Sequence, residues 1–184
     1  MTKENKAILK ALELASLSAK YPNNAYIPLS NWKDDSANAL TQCITAFINF
    51  SGFQAERINT MGVYREGKKI QVGENTRQLK GTWTPSTSTK GSADISATIR
   101  GRSVKIEVKY GKDKQSEVQK RYQESIELAG GTYFIARNFD EFMIFYYNFI
   151  LILELKIKKN QNQISLKSIS FKKKVKSFFS FFFK

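Results

Sequence analysis

The chain has 184 residues, 41% of them hydrophobic, and sets 30 Lys and Arg against 16 Asp and Glu, a formal charge of +14 with a pI near 9.8. A single cysteine, Cys43, excludes an intramolecular disulfide framework and a Cys-built zinc site, and the lack of histidine excludes Ser-His-Asp and Cys-His catalysis and His-ligated zinc. Hydrolytic chemistry is thereby confined to carboxylates, lysines and hydroxyls with a hard, oxygen-bound metal ion, while the positive field draws in polyanions, either nucleic acid or an anionic membrane surface.

Residues 4–20 read as a short amphipathic helix, with Ile8, Leu9, Leu12 and Leu17 on one side. Glu4 and Glu13 interrupt its apolar pattern, so it lacks the continuous apolar run of a secretory signal, and a cytoplasmic location is expected. Pro22 and Pro28 break the next stretch into loop. Ser36 to Phe50 is a stronger helix, in which Ala37, Leu40, Ile44, Phe47 and Ile48 recur at helical spacing. Asp34, Asp35 or Ser36 can cap its start, and Ser51-Gly52 ends it. Phe53 to Ile58 reads as a strand. Residues 60–92 are polar and rich in Gly, Thr and Ser, and read as a long loop with a hairpin near Lys69–Val72.

Ala93–Ile99 and Ser103–Tyr110 are two strands joined by Arg100-Gly101-Arg102. Ser116–Ala129 is a helix striped by Val118, Tyr122, Ile126 and Ala129, and Gly130-Gly131 ends it. Thr132–Ala136 is a further strand and Phe139–Tyr147 a further helix. The order predicts an α/β fold with a central mixed β-sheet flanked by helices over residues 34–150, preceded by a helix and loop over 1–33.

Residues 151–184 form a basic, Lys- and Phe-rich extension. Phe142 to Leu153 is nearly continuous apolar sequence but too short for a membrane span of about 20 residues. Beyond it, Lys172-Lys173-Lys174 and the terminal phenylalanines could lie on an anionic membrane or grip nucleic acid. The Lys, Phe, Ile and Asn bias also fits out-of-frame sequence appended after a natural end near Asn148. No function is assigned to this extension, and membrane contact through it is not expected.

The chemistry concentrates between Gly91 and Tyr122. Strand side chains alternate between faces, so Asp94, Ser96 and Thr98 share one face of the first strand. Ser103, Lys105, Glu107 and Lys109 share one face of the second. With Gly101-Arg102 as the turn, Arg100 pairs with Ser103, Ser96 with Glu107 and Asp94 with Lys109. Asp94 and Glu107 then become diagonal neighbours about 7–8 Å apart at the backbone, close enough to converge on one Mg²⁺ or Mn²⁺. Lys109 beside them could orient a water or stabilise developing phosphate charge. The bland alternative is a half-exposed hairpin in which Asp94 and Lys109 form an ordinary cross-strand ion pair.

An Asp after a small-residue turn, Gly91-Ser92-Ala93-Asp94-Ile95, followed by Ile106-Glu107-Val108-Lys109 on the next strand, resembles the PD-(D/E)XK nuclease superfamily. The following Ser116-Glu117-Val118-Gln119 and Gly130-Gly131-Thr132-Tyr133-Phe134-Ile135 are similar to its VRR-NUC (virus-type replication-repair nuclease) branch. The likeness covers about residues 36–147 and is most specific over 91–137. It implies a restriction-endonuclease-like core and a Mg²⁺- or Mn²⁺-dependent hydrolase of DNA phosphodiesters, of phage or mobile-element type, acting in replication, repair or recombination. It implies Asp94, Glu107 and the Val108 carbonyl as metal ligands, Lys109 as the residue that positions water, and Gln119 near the metal or scissile phosphate. Gln119 has an equal structural reading, because Ser116-x-x-Gln119 is a capping-box pattern.

Arg65, Lys90, Arg102, Lys105, Lys112, Lys114 and Arg121 are candidate contacts to the DNA backbone, which position a duplex without reading sequence. The expected partner is DNA, branched or structured forms included, with no small-molecule cofactor; a homo-oligomer would let so small a domain span a duplex. One departure stands out. The family often places an acidic metal ligand on the helix before the first core strand, and Ser36 to Phe53 contains neither Asp nor Glu. Gln42, Asn38, Asp34 or Asp35 are the available substitutes. The missing acid also supports an alternative, a weakly active or inactive nucleic-acid-binding module with the same fold.

Overall fold

The computed structural model describes residues 1–59, 62–72, 75–85 and 88–182, and for Val72, Asn160 and residues 162–182 the backbone alone. The chain divides into two compact units, Met1–Phe142 and Met143–Lys184. The elements are α1 (Lys3–Lys20), α2 (Ala37–Phe50), β1 (Gln54–Arg57), β2 (Val63–Arg65), β3 (Lys69–Val72), β4 (Asn75–Gln78), β5 (Thr82–Thr84), β6 (Ile95–Ile99), β7 (Arg102–Val108), α3 (Glu117–Leu128), β8 (Thr132–Ala136) and α4 (Phe139–Phe182).

The main sheet has the order β1-β6-β7-β8. β1 and β7 flank β6 in antiparallel fashion, and β8 joins β7 in parallel after the α3 crossover, as a helix-bearing connection between parallel strands requires. The fold is thus mixed α/β, a four-stranded mixed sheet flanked by helices. One sheet face is apolar: Ile95, Ala97 and Ile99 of β6 and Val104, Ile106 and Val108 of β7 are buried. The amphipathic stripe of α2, Leu40, Ile44, Phe47 and Ile48, is buried with them, and α2 lies against β1, β6 and β7. Phe47 meets the rings of Phe139 and Phe142 edge-on at centroid distances of 5.9 and 5.7 Å. Ser36 caps α2, accepting from the Ala39 N–H.

The β6–β7 hairpin differs from the sequence expectation. Ile99 pairs with Arg102, so the turn is Arg100-Gly101, not Gly101-Arg102. Both turn residues have positive φ, +50° and +73°, the conformation of a type I′ turn, whose twist matches that of paired strands. The register moves by two residues, and Ser96 faces Lys105 instead of Glu107. A two-residue slip leaves every side chain on its expected face, because the strand period is two.

The expected long loop is mostly strand. β3 and β4 form the hairpin anticipated near Lys69–Val72, and β2 pairs with β5 outside it, making a nested antiparallel ribbon. Among the described side chains these strands bury no face: Tyr64 and its partner Trp83 are 59% and 57% exposed. Pairing that buries nothing leaves no hydrophobic alternation to read. α4 runs on past Tyr147, because neither glycine nor proline follows Phe139 to stop it. Among the described residues, no helix is long and apolar enough to cross a membrane.

Candidate active site on the polar face of the sheet

The face of β7 opposite α2 carries Lys105, Glu107 and Lys109. It is not a wet surface: Glu107 is 1% exposed and Lys109 6%. Parallel pairing brings Tyr133 of β8 level with Lys105 on this face. α3 covers it, with Tyr122 edge-on to Tyr133 at 6.3 Å. Because α3 covers charged groups, its apolar stripe is only partly used: Tyr122 and Ile126 are half-buried, while Val118 and Ala129 are exposed.

Asp94 sits one step before β6. Continuing from the rung Ile95–Ile106, antiparallel register sets it opposite Glu107, not diagonal to it and not opposite Lys109. Its Oδ2 accepts the Val108 N–H at 2.8 Å, and its own carbonyl accepts from Ile58 N–H at 2.7 Å. Gly91 makes this placement possible. Its φ is +77°, and a Cβ there would lie 2.8 Å from the Val118 backbone, so the chain entering β6 passes directly against the first turn of α3.

Glu107 is the hub. Oε1 accepts from Lys109 Nζ at 3.0 Å and from Gln119 Nε2, and Oε2 accepts from Tyr133 Oη at 3.3 Å. Burial pushes the Glu107 carboxyl above the ordinary Glu range, Asp94's charge pushes it further, and the Lys109 contact only partly opposes them. Burial lowers the pKa of Lys109, but the bonds and charges of Glu107 and of Asp113, 3.2 Å away, outweigh it and hold the ammonium above its ordinary value. Burial and the Glu107 charge both raise the Tyr133 phenol, which stays protonated and able to donate. Gln119 serves both of the roles read from its position. Its Oε1 accepts from Ser116 N–H at 2.9 Å, completing a capping box, while its Nε2 reaches Glu107.

The structure therefore brings Asp94, Glu107, Lys109 and Gln119 together, with Val108 linking the first two through the backbone. Tyr133 and Asp113 belong to the same cluster and were missed in the sequence. Tyr133 entered the sequence reading only as part of the Gly130–Ile135 strand entry, and its partner lies across a parallel pairing that no local pattern encodes. Asp113 follows Lys109 by four residues in a turn, where a carboxylate carries no distinctive signal. The substitutes for the missing upstream acid are engaged elsewhere: Asn38 accepts from Arg57, Asp34 holds the N-terminal ammonium and the Phe139 N–H, and Asp35 lies 3.9 Å from Lys33. Gln42 lies on α2, which covers the opposite sheet face.

Of the basic residues, Lys105 lies two residues along β7 from Glu107 and donates to Ser96 Oγ at 2.5 Å. Lys112 and Lys114 are exposed in the turn leading to α3, and Arg121 is exposed on α3. Lys90 is exposed next to Gly91. Arg102 stands at the far end of β7, and Arg65 is exposed on β2.

The donor set suits a hard cation. Asp94 and Glu107 offer oxygen only, and a divalent ion between them would relieve the cost that burial and Asp94's charge put on ionising Glu107. Among the described residues no three His, Cys, Asp or Glu side chains form a metal-holding group. No family model and no curated protein matches the chain.

Proposed function

We propose that this chain is a divalent-metal-dependent nuclease of the PD-(D/E)XK type, hydrolysing DNA phosphodiesters at the Asp94–Glu107–Lys109 cluster. The carrying observation is the buried Glu107–Lys109 pair with Asp94 opposite it. Buried ion pairs add little stability compared with apolar replacements, so a charged cluster built into a sheet face favours a functional reading. The element order α2-β1-β6-β7-α3-β8-α4, with β8 parallel to β7, supports a restriction-endonuclease-like core.

Asp94 and Glu107 would hold one Mg²⁺ or Mn²⁺ together with the Val108 carbonyl. In an antiparallel pair a residue's N–H and C=O face the same neighbour, and the Val108 N–H already faces Asp94. The bound ion would supply Lewis-acid polarisation of the phosphate. Lys109 orients the attacking water and offsets the negative charge that grows on the phosphate. Gln119 and Tyr133 fix the two oxygens of Glu107 and keep the carboxylate aimed. Lys105, Lys112, Lys114, Arg121 and Lys90 hold the DNA backbone on this side.

A cleavage assay with Mg²⁺ or Mn²⁺ on plain, nicked and branched DNA, run with Asp94→Ala and Lys109→Ala, tests the reading. Wild-type protein inert on every substrate with both metals overturns the enzyme. Activity surviving Asp94→Ala overturns the site. The lack of an upstream acid favours one second reading, a nucleic-acid-binding module without turnover, which such an inert but DNA-binding protein would establish.

A further inference from the structure

Neither the core nor the Glu107 cluster accounts for the arm formed by β2 to β5. Its two ribbons are continuous: the Leu79 N–H donates to the Lys68 carbonyl at 3.0 Å, one step beyond the Lys69–Gln78 pair. Tyr64 and Trp83 are a cross-strand pair, so both project from one face of the ribbon, and both are exposed. Glycines set the pose of the two rings. A Cβ on Gly62 would lie 2.6 Å from the Trp83 ring, and one on Gly81 would strike the phenol of Tyr64. Each ring therefore lies across the bare backbone of the other strand and turns its outer π face to water.

The surroundings are cationic. Residues 62–85 set Arg65, Lys68, Lys69, Arg77 and Lys80, all exposed, against Glu66 and Glu74. A ribbon two strands wide spans about 5 Å, so long side chains from either face reach a chain laid along it. Outward π faces and cations are the two halves of single-strand recognition: bases stack on the rings, and Lys and Arg hold the phosphates. A neutral glycan would use the rings and leave the cations idle. A duplex keeps its base faces stacked inside, and glycines beside the rings carry no polar group to read base edges in a groove. A bilayer calls for an apolar wedge, but the outer end of the arm carries Gln71, Asn75 and Thr76, all exposed.

The platform also leads toward the Glu107 cluster. A cavity of about 360 Å³ runs from Gly62 and Trp83 past Ser88 and Lys90 to Gly91. Gly91 lies against the Val118 backbone of α3, the helix that covers Glu107. From there Asp94 is three residues on, at most about 11 Å of chain.

We propose that the arm binds single-stranded DNA, with bases stacked on Tyr64 and Trp83 and phosphates held by Arg65, Lys80 and Lys90. The strand continues along the cavity toward Asp94, so the substrate class of that site is DNA with an unpaired stretch. That last step rests on the nuclease reading; the binding does not.

The test follows the fluorescence anisotropy of a labelled oligo-dT of about ten nucleotides as the full chain is added. EDTA in the buffer prevents cutting, and circular dichroism checks the fold of each variant. The single strand is expected to bind more tightly than a blunt duplex of the same length. Tyr64→Ala and Trp83→Ala should each weaken binding about tenfold, while Tyr64→Phe and Trp83→Phe, which keep a ring, retain most of it. Arg65→Gln and Lys90→Gln should each flatten the slope of log affinity against log salt by about 0.7. Wild-type affinity in the folded alanine variants, phenylalanine variants as weak as the alanine ones, or a duplex bound as tightly as the single strand overturns the proposal. Capture by phosphatidylserine vesicles without affinity for the oligomer assigns the arm to a membrane surface and also overturns it. Binding with the expected signatures by protein that cleaves nothing with Mg²⁺ or Mn²⁺ upholds the arm and overturns the nuclease. Cleavage of single-stranded DNA unchanged in Tyr64→Ala and Trp83→Ala overturns the arm as the guide to the site.

Discussion

The Val108 N–H donates to Asp94 Oδ2 at 2.8 Å, so the acid ahead of β6 is fastened to the middle of the Glu107-Val108-Lys109 run. The position of this carboxylate is therefore tied to the sheet as well as to the Gly91 approach to α3. Asp94→Asn keeps an acceptor for Val108 and removes the charge. We expect its cleavage rate to fall about 10²–10³-fold with stability unchanged within about 0.5 kcal/mol. Asp94→Ala should lose cleavage equally and a further 1–2 kcal/mol or so in urea unfolding, because the Val108 N–H is left unmet. Equal unfolding midpoints for the two variants would show that the bond contributes nothing.

Gln119 joins a helix cap to the Glu107 hub, and two variants separate the roles. Ser116→Ala removes the cap alone and should cost about 1 kcal/mol while leaving cleavage near wild type. Gln119→Ala should cost a similar amount and also lower cleavage, because Glu107 loses a donor to Oε1. If both variants cleave alike, Gln119 is a cap and nothing more.

Gly91 and Gly101 form a matched pair. Both have positive φ, but a Cβ at Gly101 meets open space, whereas one at Gly91 meets the Val118 backbone. Gly101→Ala should destabilise by about 1–2 kcal/mol without changing the rate per folded molecule. Gly91→Ala should destabilise more and lower that rate, because the chain leading to Asp94 must move away from α3. Equal effects on rate would detach Gly91 from the site.

Asp140, at the start of α4, accepts from the Thr2 N–H and hydroxyl and from Asn5. Burial raises its pKa, but these bonds and the N-terminal charge outweigh it and hold the carboxyl below its reference value of 3.8. The stabilisation is therefore present above that value and is lost as pH falls through the lower native pKa. Melting temperatures taken from about pH 6 to pH 2 should drop across this window, and the drop should be shallower in Asp140→Asn. Parallel curves would place the acid sensitivity elsewhere.

Face assignments were legible in the sequence because they depend on parity alone: Asp94, Glu107 and Lys109 lie where alternation puts them. Register was not, since a turn at Arg100-Gly101 and one at Gly101-Arg102 preserve the same alternation, and only an arginine accepting φ of +50° decides between them. Tyr133 was out of reach because its bond to Glu107 crosses a parallel pairing set by α3. The ribbon was read as loop because Tyr64 and Trp83 pair in the open. The apolar stripe of α2 was less ambiguous: Leu40, Ile44, Phe47 and Ile48 are buried as read, while Ala37 at its start is exposed and Thr41 and Cys43 are buried beside them.

The rung between the Ile58 N–H and the Asp94 carbonyl closes the ribbon where it leaves and rejoins the sheet. Everything between those two residues is, in topological terms, an elongated hairpin loop with fixed ends. Chain entropy for closing such a loop grows only slowly with its length, so the sheet tolerates arms of very different size here. Replacing the arm by a short turn would make β1 and β6 an ordinary local hairpin and lower the contact order of the fold, which favours faster folding. The paired arm, β2 to β5, is thus open to exchange, whereas the return through Gly91, Ser92 and Ala93 to the rung that carries the acid is fixed by packing.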